Sequence, residues 1–275
     1  MANDELSAAA VDAPPLVDCH AHIWSASMPF ASYAWSRPAY PFTVEEYLAT
    51  LDASGIAYGV ISAASLFGTF NDYTIAALRR FPRLRGTVIV DPSIGYYELE
   101  RMRQDGIVGA RLQLFHVDPF PDFHNDDYTR LFYRLRDLDM HVQLNVPPAR
   151  LTEMLDVLRP SGVKVVIDHF GYPEAEHGLE CRAFLAVVDF CNSGQGWVKL
   201  SSGFRRPTQD IPREYAQAYV ERVGTDRLFW ASDAPFVGCE GSVTYPEVVE
   251  QYRYWLPDPA VRAAISRNSY RFFFE

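Results

Sequence analysis

Histidines and acids recur in this chain at positions where a buried strand normally carries only apolar residues. His20 and His22 stand two apart in LVDCHAH (16–22), His169 follows Asp168 in VKVVIDH (163–169), and Asp233 closes LFWASD (228–233). Imidazoles two apart on a strand leave on one face and can converge on one ion or one substrate oxygen. A carboxylate at the same level can act as general base toward a water, while imidazole N–H groups donate to a developing oxyanion. Arg111 and Gln113 in GARLQLF (109–115), and Gln143 and Asn145 in HVQLNV (141–146), repeat the spacing of two.

Such residues need a frame that brings distant segments to one level. The five runs just quoted are short and largely apolar, and three more have the same character: YGVISAAS (58–65), GTVIVD (86–91) and GWVKLS (196–201). Between these eight predicted strands lie segments with helical patterning. Thr43 followed by Glu46 forms a capping box ahead of EYLATLDASG. DYTIAALRR, YELERMRQ, DYTRLFYRLRDLD, RLTEMLDVLRPSG, RAFLAVVDFC and EYAQAYVERVG follow in turn, and Gly55, Gly106, Gly162 and Gly224 each end a predicted helix just before a strand. Eight near-continuous apolar strands alternating with helices predict a parallel sheet closed into a single (β/α)8 TIM barrel over 16–275, behind a flexible lead-in at 1–15. A doubly wound sheet would carry a glycine-rich phosphate turn after its first strand, where this chain has His20-Ala21-His22. In a barrel, the polar strand ends fall together at the C-terminal mouth.

The 275 residues are 48% hydrophobic and 22% charged, the balance of a globular protein, and the net charge of -10 offers no basic surface to a nucleic acid. The run 19–36, free of Asp, Glu, Lys and Arg, holds two His, four Ser and a Pro, so no membrane span is expected. The first residues have two early acids and no positive region, unlike a secretory signal. Cysteines at 19, 181, 191 and 239 form no CxxC pair and are expected reduced, which implies the cytosol.

VDCHAHIW (17–24), ASLFGTFN (64–71), DPSI (91–94), GARLQL (109–114), VVIDHFGYP (165–173), LFWASDAPF (228–236) and NSYRFF (268–273) resemble the amidohydrolase superfamily, in particular its lactone-hydrolase branch, which includes the 2-pyrone-4,6-dicarboxylate lactonases. The resemblance covers nearly the whole chain. It implies that His20, His22, His169 and Asp233 form the catalytic cluster and that Arg111 holds a substrate carboxylate. Ser65 and Asn71 match polar positions after the second strand. Arg205 or Arg206 matches a second carboxylate-binding arginine, and the spacing does not say which. Tyr172 stands where the pyrone lactonases carry a further arginine, which weakens the case for a second substrate carboxylate there.

Zinc members of that superfamily add a histidine from the fifth strand, and two-metal members a bridging lysine or glutamate from the fourth. Asn145 and Gln113 occupy those places here, which argues against a binuclear centre. His20, His22, His169 and Asp233 still admit a single zinc or other divalent metal. No cofactor is favoured, because some members of the lactonase branch work without metal and a lactone ester is easily hydrolysed.

The expected activity is therefore hydrolysis of a small carboxylated lactone of pyrone, muconolactone or sugar-acid type, with Asp233 as base and the histidines polarising the carbonyl. The alternative is a metal-dependent decarboxylase of an aromatic or muconate-type acid. The expected partner is a small molecule bearing a carboxylate, with no nucleic acid and no membrane, and with room for a homo-oligomer. Lys199 is read as structural, paired with Asp168 or Asp91. Trp24, Phe30, Tyr33, Trp35, Tyr40 and Phe42 put six aromatics into 19 residues after the first strand, expected either to wall a flat ring, with Trp24 touching substrate, or to pack on neighbouring elements. His116, His124, His141 and His177 are read as surface or structural.

Overall fold

The computed structural model describes residues 13–173 and 175–275. Eight parallel strands lie in sequence order: β1 (Val17–Ala21), β2 (Tyr58–Ile61), β3 (Leu84–Val88), β4 (Ile107–Gln113), β5 (His141–Asn145), β6 (Val165–Ile167), β7 (Gly196–Leu200) and β8 (Leu228–Trp230). The sheet closes at its mouth through a parallel bridge between Ala21 and Ala234, where the Asp233 amide donates to the His20 carbonyl and the His22 amide to the Ala234 carbonyl, both at 2.8 Å. The TIM barrel expected from the strand–helix alternation is the observed fold. Residues 1–12 of the expected lead-in lie outside the described residues.

The helices are α1 (Val44–Ala53), α2 (Asp72–Arg80), α3 (Tyr96–Gln104), α4 (Asp126–Asp137), α5 (Pro148–Leu158), α6 (Arg182–Asn192), α7 (Asp210–Val223), α8 (Tyr245–Trp255) and α9 (Pro259–Phe274). Thr43 and Glu46 form the predicted capping box on α1. The sequence reading has no counterpart to α8 and α9. Start signals are present, a Thr244–Glu247 capping box on α8 and Asp258 ahead of Pro259 on α9, but the Phe272–Phe274 run by pattern alone suits a strand as well as a helix.

The barrel interior is layered. At the bottom, Val17, Cys19, Val60, Val166, Phe229 and Ala231 form one apolar cluster with Phe273 of α9. The next layer is polar and fully buried, and includes His20, Arg111, Gln143, Asp168 and Lys199. Cys19 joins the apolar layer while the next residue, His20, joins the polar one. The register irregularity between Asp18 and Ala21 falls where these consecutive side chains both serve the interior. No described helix is long and apolar enough to cross a membrane.

Candidate active site

Asp168 organises the buried polar layer. It faces His20 Nδ1 at 3.2 Å, Lys199 Nζ at 3.3 Å, Arg111 Nε and Nη2 at 3.3 and 3.2 Å, and accepts from the Gln143 amide at 2.9 and 3.0 Å. Burial opposes its charge, but Lys199, His20 and Arg111 hold the carboxyl well below its usual range. Lys199 is thus paired as expected, with Asp168; Asp91 instead accepts from Ser93 at the surface. Sequence alone gives Gln143 no role and Asp168 only that of a partner for Lys199. The inward parity of Gln143 with Asn145 was the available signal.

Above this layer, three imidazoles and one carboxylate converge. His20 Nε2 lies 3.2 Å from His22 Nε2, and Asp233 Oδ1 lies 3.6, 3.7 and 3.9 Å from the Nε2 atoms of His20, His22 and His169. Each ring is held from behind through Nδ1: His20 by Asp168, His22 by the Ser62 carbonyl at 2.7 Å, and His169 by Ser201 Oγ at 2.8 Å. Because a carbonyl oxygen can only accept, His22 Nδ1 carries the proton and neutral His22 presents a lone pair at Nε2. The ionised Asp168 likewise only accepts, so His20 Nδ1 carries that ring's proton, and the expectation that all three imidazoles donate to an oxyanion is narrowed to His169. Burial pushes His169 down to about 4 and His20 well below the usual histidine value, so both rings are neutral at pH 7.

Asp233 Oδ2 accepts from Ser202 and from Arg205 Nε and Nη2, at 3.4 and 3.2 Å for the arginine. Burial works against its ionisation, yet His169, His22, His20 and Arg205 hold it well below the usual carboxylate range. His169, Ser202 and Asp233, at the ends of β6, β7 and β8, all have positive φ (54°, 58° and 63°). A side chain in that region costs roughly 1–3 kcal/mol and persists where surrounding contacts over-determine it, as they do in binding and catalytic sites.

His22, His169 and Asp233 form the floor of a cavity of about 250 Å³ at the C-terminal mouth, with the fully buried His20 beneath them. Of the expected substrate-contacting residues, Arg111, Ser65, Tyr172, Trp24 and Arg205 line it. Arg206 instead lines a small neighbouring cavity and donates to the Pro173 carbonyl, so the geometry distinguishes the two arginines. Asn71 is turned away from the cavity: its amide exchanges hydrogen bonds with the Ile89 backbone, tying the segment before α2 to the end of β3. Asn145 is buried at the end of β5 but is not part of the lining. Only Trp24 and Trp35 of the six loop aromatics line the cavity. Phe30 stacks on Phe67, Tyr40 and Phe42 pack on Trp24, and Tyr33 is exposed. Phe115 and His116 add to the wall, the latter with its ring 5.2 Å from Trp35; His116 is exposed, as expected of a surface residue, and stands at the cavity rim.

The donor set fits one divalent ion. Ligands about 2.0–2.2 Å from a tetrahedral zinc lie about 3.3–3.5 Å from one another, close to the 3.2–3.7 Å among His20 Nε2, His22 Nε2 and Asp233 Oδ1. A histidine ligand held at its other nitrogen by a carboxylate or carbonyl is the usual outer arrangement of such sites, and His20 and His22 both have it.

A profile of the amidohydrolase family matches residues 17–274. The chain is 27% identical to a 4-sulfomuconolactone hydrolase of Rhizobium radiobacter, over 90% of this chain and 86% of that protein. It is 26% identical to a 2-pyrone-4,6-dicarboxylate hydrolase of Comamonas testosteroni, over 80% and 76%. A solved structure of a probable 2-pyrone-4,6-dicarboxylic acid hydrolase of Acinetobacter baumannii, with citric acid bound, superposes with a TM-score of 0.89 at 28% identity, covering 94% of this chain and 99% of that one.

Proposed function

Because this chain belongs to the amidohydrolase family, we propose that it hydrolyses a small carboxylated lactone at the His20–His22–His169–Asp233 cluster. The observation that carries the proposal is the convergence of three imidazole nitrogens and Asp233 Oδ1, 3.2–3.9 Å apart, beneath a cavity that Arg111 also lines.

Asp233, ionised across the neutral range, takes a proton from a water held against Oδ1, and the oxygen adds to the lactone carbonyl. His22 Nε2 accepts from the same water and orients it, while an N–H of His169 stabilises the oxyanion. When the tetrahedral intermediate collapses, the ring C–O bond breaks and the departing oxygen takes the proton held on Asp233, leaving a ring-opened acid. Arg111 fixes a substrate carboxylate, and Arg205 and Ser202 hold Asp233 in place through Oδ2. A single divalent ion would be held by His20, His22, His169 and Asp233, and when bound supplies polarisation of the carbonyl and acidification of the water.

Asp233→Asn removes the base and keeps the shape. We expect kcat to fall by about 10²–10⁴-fold on whichever lactone a pH-indicator screen identifies, with binding of the ring-opened product retained. Near-normal turnover in that variant ends the proposal.

A further inference from the structure

The substrate's charge can be read from the donors that the cavity still has to give. A guanidinium offers five N–H donors. Among the described residues, Arg111 and Arg205 are the arginines that line the cavity, and no lysine does. Arg205 commits four: Nε and Nη2 to Asp233, Nη2 again to the Val237 carbonyl at 3.0 Å, and Nη1 to Cys239 Sγ at 3.5 Å. Arg111 commits three: Nε and Nη2 to Asp168, and Nη1 to the Ala63 carbonyl at 2.7 Å. That leaves Arg111 one N–H on each terminal nitrogen, a pair able to take both oxygens of one carboxylate.

The rest of the wall is neutral: aromatic rings with the amide of Gln113, whose Oε1 already accepts from the Phe115 amide, and the hydroxyl of Ser65. Trp35 faces His116, and Phe115 lies 4.9 Å from Tyr172, whose other neighbour is His169 at 5.3 Å. These rings suit the faces of a flat unsaturated ring. A second carboxylate placed among them would lose its water and meet no cation but Arg205, which is already paired with Asp233 and keeps one N–H.

We infer that the cavity selects a flat ring bearing a single carboxylate, with the anion on Arg111 and the ring among Trp35, Phe115 and Tyr172, and that it discriminates against the doubly carboxylated ring. The identity of that ring as a lactone rests on the proposed hydrolysis; the charge rule does not. It separates this chain from its relative named for a dicarboxylate.

The test uses full-length protein and calorimetric titration with benzoate, benzene-1,3-dicarboxylate and benzamide, three flat rings that cannot be hydrolysed as lactones. Benzoate is expected to bind at least about tenfold more tightly than either of the others. His116→Arg, which adds a cation at the rim without touching the cluster, is expected to improve the dicarboxylate at least about tenfold relative to benzoate. Equal or tighter binding of the dicarboxylate by the unaltered protein overturns the inference, as does benzamide binding as well as benzoate. The same protein is then given a 2-pyrone monocarboxylate and 2-pyrone-4,6-dicarboxylate. Benzoate selectivity with neither pyrone opened removes pyrones from the proposed lactones and keeps the charge rule. A dicarboxylate opened as fast as the monocarboxylate overturns the charge rule and keeps the lactone reading.

Discussion

At the scale of single residues, the site depends on which atom each ring presents. His22 is fixed by its short bond to the Ser62 carbonyl, so its lone pair joins Asp233 Oδ1 on the inner side of the cluster. Titration with zinc should therefore saturate at one ion per chain, and His22→Gln should weaken that binding by about tenfold or more. Equal zinc affinity in the two proteins would show that the cluster is not the binding site. Asp168 is the second residue on which much turns. It is the carboxylate within reach of both Lys199 and Arg111, and all three are buried. Asp168→Asn leaves two buried cations without a counter-ion, and we expect a loss of about 3–5 kcal/mol in denaturant unfolding. A loss under about 1 kcal/mol would mean that water or another acid compensates.

At the scale of elements, the loops after β6, β7 and β8 do the positioning. The segment 202–206 sends both Ser202 and Arg205 to Asp233, and it lies flat because Gly203 meets the ring of Trp255 from α8. A Cβ on Gly203 would come within 2.1 Å of Trp255 Cζ2, and that indole is fully buried and has nowhere to go. Gly203→Ala is thus expected to cost about 1–3 kcal/mol and to lower kcat by loosening the Ser202 and Arg205 contacts. Unchanged unfolding midpoint and rate would show that α8 yields. The helix that carries this tryptophan is one of the two without a counterpart in the sequence reading. Its role in the site arises from packing across the barrel rim rather than from any local pattern.

At the scale of the whole molecule, the barrel carries neutral histidines far inside. His141 opens β5 at the opposite end from the cluster, and burial lowers it to about 3, helped by the charge of Lys199. An unfolded histidine takes up its proton near 6.5, so the unfolded chain gains protons first and stability falls as the pH drops from 6.5 toward 3. This one residue accounts for a loss of about 2 kcal/mol between pH 7 and pH 5. His141→Leu should flatten the pH dependence of unfolding by that amount, whatever it does to stability at pH 7. An unchanged slope would show that His141 is protonated in the folded protein.

The barrel and the list of chemical residues were legible in sequence for a simple reason. Strand periodicity fixes which side chains share a face, and in a parallel barrel all strand ends reach one rim. The pairing of His20 with His22 and the placing of His169 and Asp233 at strand ends follow from those local rules. The partners chosen across the barrel do not. Arg205 rather than Arg206 faces the cavity, Asn71 turns to the Ile89 backbone, and Gln143 and Asp168 join four strands in one buried network. These choices depend on distances between segments far apart along the chain and on which buried donors must be satisfied. Only the closed tertiary structure sets both.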